Sequence, residues 1–136
     1  MTALVTDRRT PERSADRREF PVKASTTLFA GSMAAIGADD LAVPMSVATT
    51  LRGVGRCEGR IDNSTGADGD LTVKVGVGVY HYANSAAADE ITAADIGGTC
   101  YGVDDQTVAL TDGTGTRSIA GKIFDVDARG VWVDFR

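Results

Sequence analysis

The sequence predicts a mainly β fold: a small β-sandwich or barrel-like (β-tulip-like) domain with an extended N-terminal arm and at most one short helix. Three observations predict it. Glycine is abundant, 16 of 136 residues, while aromatic residues make up only 6%, which suits short strands joined by tight turns. Apolar and polar residues alternate over several short runs separated by Asp- and Gly-rich clusters. Only residues 83–98 hint at helix. The hydrophobic share of 43% and charged share of 24% are those of an ordinary globular domain, and the length fits a single one.

Residues 1–19 read as a charged arm. Arg8, Arg9, Arg13, Arg17 and Arg18 alternate with Asp7, Glu12, Asp16 and Glu19, and no apolar periodicity follows Val5. Such a segment cannot bury enough surface to fold alone. It is either a disordered tail or an arm that orders on a neighbouring subunit. Residues 20–136 then form the β-rich body.

The first strand of the body is expected from Phe20 to Phe29, with Phe20, Val22 and Ala24 inward. Pro21 places it at a strand start or on an edge. Met33, Ala35 and Ile36 suggest a short strand, Gly37–Asp40 a turn, and Leu41–Met45 the return of a hairpin. Val54–Ile61 alternates imperfectly, and a bulge at Gly59 would repair the period. Asp62–Asp70 is a loop by composition. Leu71–Tyr82 is the strongest strand, with Leu71, Val73, Val75, Val77 and Val79 on one face. Gly76 and Gly78 leave room for a close neighbour or a sharp bend at a barrel corner.

Ala86–Ala88 favour helix, and Thr92 can cap one turn over Ala93–Ile96 closed by Gly97 and Gly98. Thr99–Val103 and Thr107–Leu110 read as strands around an Asp104–Asp105 turn. After the Thr111–Gly115 turn, Ala120–Val126 and Val131–Phe135 form a hairpin about Asp127–Gly130. The total is about eight strands.

The charge is uneven. The first twenty residues carry a net charge of +1, so the remainder carries −6. An acidic body argues against direct nucleic-acid binding. No apolar run approaches the ~20 residues that span a bilayer, so no membrane partner is expected. The N-terminus lacks the apolar core of a secretory signal. Cys57 and Cys100 are expected to be buried thiols, although a fold that brought them together would let them pair.

Catalytic chemistry finds little support. His81 is the only histidine, and between Tyr80 and Tyr82 a surface or packing role is expected. No Gly-x-Ser-x-Gly elbow is present. Cys57, Cys100 and His81 have no zinc spacing. The Asp62 loop has Ala67 where a calcium loop needs glycine. Gly53-Val54-Gly55 and Gly76-Val77-Gly78 complete no nucleotide-loop pattern. Asn63-Ser64-Thr65 matches the glycosylation sequon without a leader to support its use. The carboxylate pairs Asp104–Asp105 and Asp125/Asp127 fall in expected turns. No catalytic residue, metal or cofactor is therefore expected.

Several segments carry a resemblance. They are Lys23-Ala24 before Gly31, Val54–Cys57 before Asp62–Ser64, Gly69-Asp70 before the valine-rich strand, and Ile91–Gly97 with Thr99–Tyr101 and Asp104–Ala109. Ala120-Gly121 and Gly130–Val133 complete them. From Phe20 to Phe135 the chain resembles the small decoration (cement, or minor capsid) proteins of tailed phages and prophages. The resemblance implies a structural virion protein on the outer face of the head, made in the host cytoplasm. It implies trimers, or alternatively dimers, that clamp neighbouring major capsid subunits. Residues near 1–22 are then expected to form a capsid-contacting arm through Arg8, Arg9, Arg13, Arg17, Arg18, Phe20 and Val22. A tail, neck or fibre-base component is the first alternative. The second is an enzyme or small-molecule barrel with a deep cavity lined by Asp104, His81 or Tyr101.

Overall fold

The computed structural model describes residues 2–136. Its twelve strands among the described residues are β1 (Arg17–Pro21), β2 (Thr26–Leu28), β3 (Met33–Ile36), β4 (Ala42–Pro44), β5 (Arg52–Cys57), β6 (Ile61–Asn63), β7 (Thr72–Gly76), β8 (Val79–Tyr82), β9 (Thr99–Asp104), β10 (Thr107–Ala109), β11 (Ile119–Asp127) and β12 (Gly130–Asp134). The mainly β expectation is met. Among the described residues, helix is confined to two single 3-10 turns, Ala87–Asp89 and Ala93–Asp95. The second is the turn expected after Thr92, whose backbone N–H donates to the Asp95 carboxylate at 2.8 Å.

Two five-stranded antiparallel sheets carry the fold, in the orders β1-β7-β5-β3-β4 and β10-β9-β11-β12-β8, with a two-stranded ribbon β2-β6 beside them. Neither large sheet closes by a full ladder. Each curls until its two ends meet at one parallel bridge, Val22 to Ala42 in the first and Ala83 to Thr107 in the second. The contacts are made by Lys23 N–H to Ala42 O at 3.1 Å and by Val108 N–H to Ala83 O at 3.0 Å. Curling shortens the open edges, which invite pairing with other chains.

Each sheet wraps its own core. The first encloses Phe20, Val22, Leu28, Ala34, Ile36, Ala42, Val54, Cys57, Val73 and Val75. The second encloses Met45, Tyr82, Ile91, Cys100, Val108, Ala120, Ile123, Val131 and Val133, joined by Met33 and Ala35 of β3. β3 is therefore buried on both faces, which explains why Met33-Ala34-Ala35-Ile36 shows no polar alternation.

Three expected elements differ. Leu71–Tyr82 is not one strand: the chain leaves the first sheet after Gly76 and enters the second at Val79. The glycine-rich stretch supplies the expected sharp bend, so Val73 and Val75 lie in the first core while Leu71 is exposed. The Phe20–Phe29 run likewise divides into β1 and β2, because Ser25 turns the chain at φ +56°. The bulge lies at Val54, not Gly59. Ala34 and Ala35 of β3 face Gly55 and Gly53, leaving Val54 extra, and Gly55 adopts φ +144°, open chiefly to glycine.

Candidate functional site

The arm and its root form the most strongly charged feature. Residues 2–16 are exposed throughout, and Val5 is 91% exposed. At the root, Val77 N–H donates to Asp16 O at 2.8 Å. The Asp16 carboxyl accepts from the Ser14 hydroxyl, which holds it below the usual carboxylate range.

From Arg17 the chain is an edge strand of the first sheet. Arg17 pairs with Gly76, Glu19 with Lys74, and Phe20 with Val73. Period two sends Phe20 inward and leaves Glu19 and Lys74 on the surface. Arg18 places its guanidinium 4.7 Å from the centre of the Phe20 ring. The result is an open cleft of about 420 Å³ lined by Arg13, Arg17, Arg18, Lys74 and Glu19. It carries four cations against one carboxylate, and Arg13, Arg17, Arg18 and Lys74 make no ion pair among the described residues. The cleft suits a carboxylate- or phosphate-bearing surface, since guanidinium groups bind such oxygens bidentately.

Arg13, Arg17 and Arg18 of the expected arm are thus gathered at one place, and Arg8 and Arg9 lie farther out along it. Phe20 and Val22 are corrected. They are 7% and 0% exposed within the chain's own core, so they cannot touch another protein in the folded state. The arm ends at Asp16, because β1 begins at Arg17. Lys74 escaped sequence reasoning. Its signal was there: a lone cation on the polar face of the valine strand.

A larger open groove, about 680 Å³, lies where the sheets meet. Arg52, Tyr101, Arg117, Ile119, Lys122 and Phe135 are among its lining residues. Asp104 and His81 lie elsewhere. Asp104 caps its turn by accepting from Gln106 N–H at 2.9 Å. His81 packs tilted against Trp132 with centroids 4.9 Å apart.

The other singled-out residues are used by the fold. Cys57 and Cys100 are free, buried thiols in different cores. Burial raises both, Cys100 to about 11. Asp62 accepts from Ser64 N–H and the Thr27 hydroxyl. Asn63 of the sequon is 2% exposed, and its amide donates to the carbonyls of Val22, Lys23 and Ala67. Asp127 accepts from the backbone N–H groups of Arg129 and Gly130 and from Trp132 Nε1. Those donors, Arg129 first, hold its carboxyl down at about 2. No group of three or more metal-ligating side chains converges among the described residues.

No protein family, curated protein or solved structure matches this chain.

Proposed function

We propose that this chain is a structural virion protein that decorates the outside of a tailed-phage head and ties major capsid subunits together. The observation that carries this reading is the unpaired basic cleft at the root of an exposed arm, on a protein whose remainder is acidic. Such a charge reversal favours an acidic protein surface as partner. The acidic body repels packaged DNA, so the genome is not the target. The resemblance over Phe20–Phe135 supplies the virion context.

The mechanism is mechanical. The cleft and arm engage one capsid subunit, and copies that associate as trimers or dimers engage several at once. Each contact is small and individually weak. Linking them raises avidity by ~10²–10⁴ through effective concentration. The two curled sheets, each with its own core, give a body that transmits load without offering a long sheet edge.

Cosedimentation with expanded and unexpanded shells of the matching phage tests the proposal. The expected result is binding to expanded shells, falling steeply with salt, and strongly reduced by combined Arg13→Glu, Arg17→Glu and Arg18→Glu substitution. A chain indifferent to both shells overturns it. Copy number in purified particles separates decoration, with hundreds per virion, from a tail, neck or fibre-base role.

A further inference from the structure

We infer that the outer face of β11 and β12 is a self-association surface that joins two copies about a two-fold axis. This rests on a different face from the basic cleft and stands or falls apart from the shell reading.

The inner side of β11 and β12 is sealed: Ile123, Val131 and Val133 are at most 2% exposed. The outer side is not. Phe124 is 52% and Trp132 38% exposed, and Ile119, 54% exposed, continues this face into the groove where the sheets meet, which Lys122 also lines. Register places Trp132 opposite Asp125, and Phe124 is the extra residue of a bulge next to that pair. The 3-10 turn ending at Asp95 brings Ile96, 47% exposed, to this neighbourhood, since Gly97 N–H donates to Ile123 O at 2.8 Å. Large apolar side chains gathered on one sheet face, with charges beside them, are the mark of a protein contact.

The charges name the occupant. Along β11 the outer row runs from a basic end to an acidic one. Lys122 sits opposite Asp134, but that carboxylate is engaged by Arg136 at 3.1 Å, so Lys122 has no ion pair among the described residues. Three positions on, Asp125 is equally free of ion pairs, and Asp127 follows it at the hairpin turn. Phe124 lies between the opposite charges. Two copies laid antiparallel set Lys122 of each against Asp125 of the other and bring their Phe124 and Trp132 side chains together. That is the self-complementarity an isologous contact demands. The cationic arm of a neighbour would match only the acidic half.

The test is the mass of the full-length protein in solution, by light scattering and sedimentation equilibrium. The expected mass is twice that of the chain. Phe124→Asp should weaken association on the order of thirtyfold, with Phe124→Ala as the milder variant. Because Phe124 is half exposed, the thermal melt of the diluted protein should scarcely move, which separates interface loss from misfolding. Lys122→Glu and Asp125→Lys should each weaken association, and the double variant should restore it. A monomer, a three-fold mass, or a dimer indifferent to Phe124→Asp and to the charge swap overturns the inference. So does a monomer whose shell binding is abolished by Phe124→Asp, which would assign this face to the capsid. If the dimer forms but no shell binds, the self-contact stands and the decoration reading falls.

Discussion

Replacing Gly53 by alanine probes the contact on which the two-core architecture depends. Gly53 lies in β5 of the first sheet, and the backbone of Ala120 in β11 of the second passes directly against it. A Cβ at Gly53 would stand 2.8 Å from both the Cα and the carbonyl carbon of Ala120, and closer still to its oxygen. Those are backbone atoms, so no side chain can swing aside. Overpacking of this kind costs about 1–3 kcal/mol, and rigid backbone on both sides puts the cost at the upper end. Alanine also restricts the unfolded chain, which offsets up to about 1 kcal/mol. The net loss is about 2 kcal/mol.

For 136 residues the unfolding entropy is about 0.29 kcal/mol/K, so each kcal/mol moves the melting temperature by about 3.5 °C. Gly53→Ala should therefore lower it by about 7 °C in a calorimetric scan. Gly59→Ala is the internal control. Nothing lies within 4 Å of a Cβ there and its φ is not positive, so the same substitution should raise the melting temperature by about 1–3 °C. If Gly53→Ala melts within about 2 °C of the parent, the sheets do not meet at this point and the packing described above is wrong.

Asn63→Ala should cost at least the ~1–3 kcal/mol of leaving buried polar groups unpaired, since three carbonyls lose one amide; denaturant titration should show a lower midpoint at constant slope. Cys57 and Cys100 should resist a thiol reagent in the native protein and react only on unfolding, because burial raises both thiols; rapid labelling of the folded chain would contradict their placement. Asp127 has its carboxyl depressed to about 2 from 3.8, so its support of the β11–β12 hairpin is complete above about pH 4 and is lost as pH falls through about 2. An acid titration of Trp132 fluorescence should show a transition in that window that Asp127→Asn removes.

Much of the strand pattern was legible because its punctuation is local. The Asp39-Asp40, Asp104-Asp105 and Asp127–Gly130 turns are written in residues whose side chains cap their own backbone, and all three fall where the sequence puts them. The misread elements share a different cause. Residues 71–82 alternate without interruption, so nothing local reveals that the chain changes sheets at Val77-Gly78; the tie is Phe135 N–H to Gly78 O, more than fifty residues away. Arg17–Glu19 read as arm because an edge strand keeps its outer side chains in water. Its strand character comes only from pairing with β7. The basic cleft was half legible: the arginines were visible, but Lys74 joins them only through the β1–β7 register.

The cations of this protein divide by what they touch. In the body, Lys23, Arg52, Arg56, Arg117 and Arg136 each hold a carboxylate, and Arg60 lies over the ring of Phe29. These serve the fold, and exposed pairs of this kind contribute little to it. At the arm and cleft, Arg8, Arg9, Arg13, Arg17, Arg18 and Lys74 hold none among the described residues, and in the body Arg129 and Lys122 hold none either, although carboxylates outnumber cations across the chain by 19 to 14. Gathering like charges while acidic partners remain elsewhere on the surface is unfavourable for the isolated chain. The arrangement becomes favourable when an anionic surface enters the cleft. The proposed contact therefore rests on the clustering of uncompensated cations in the cleft, not on the lack of an ion pair at any single one. Lys122, without an ion pair among the described residues and two positions from an exposed Phe124, enters the inferred self-contact on the same ground: an apolar side chain and an unmatched charge lie together there.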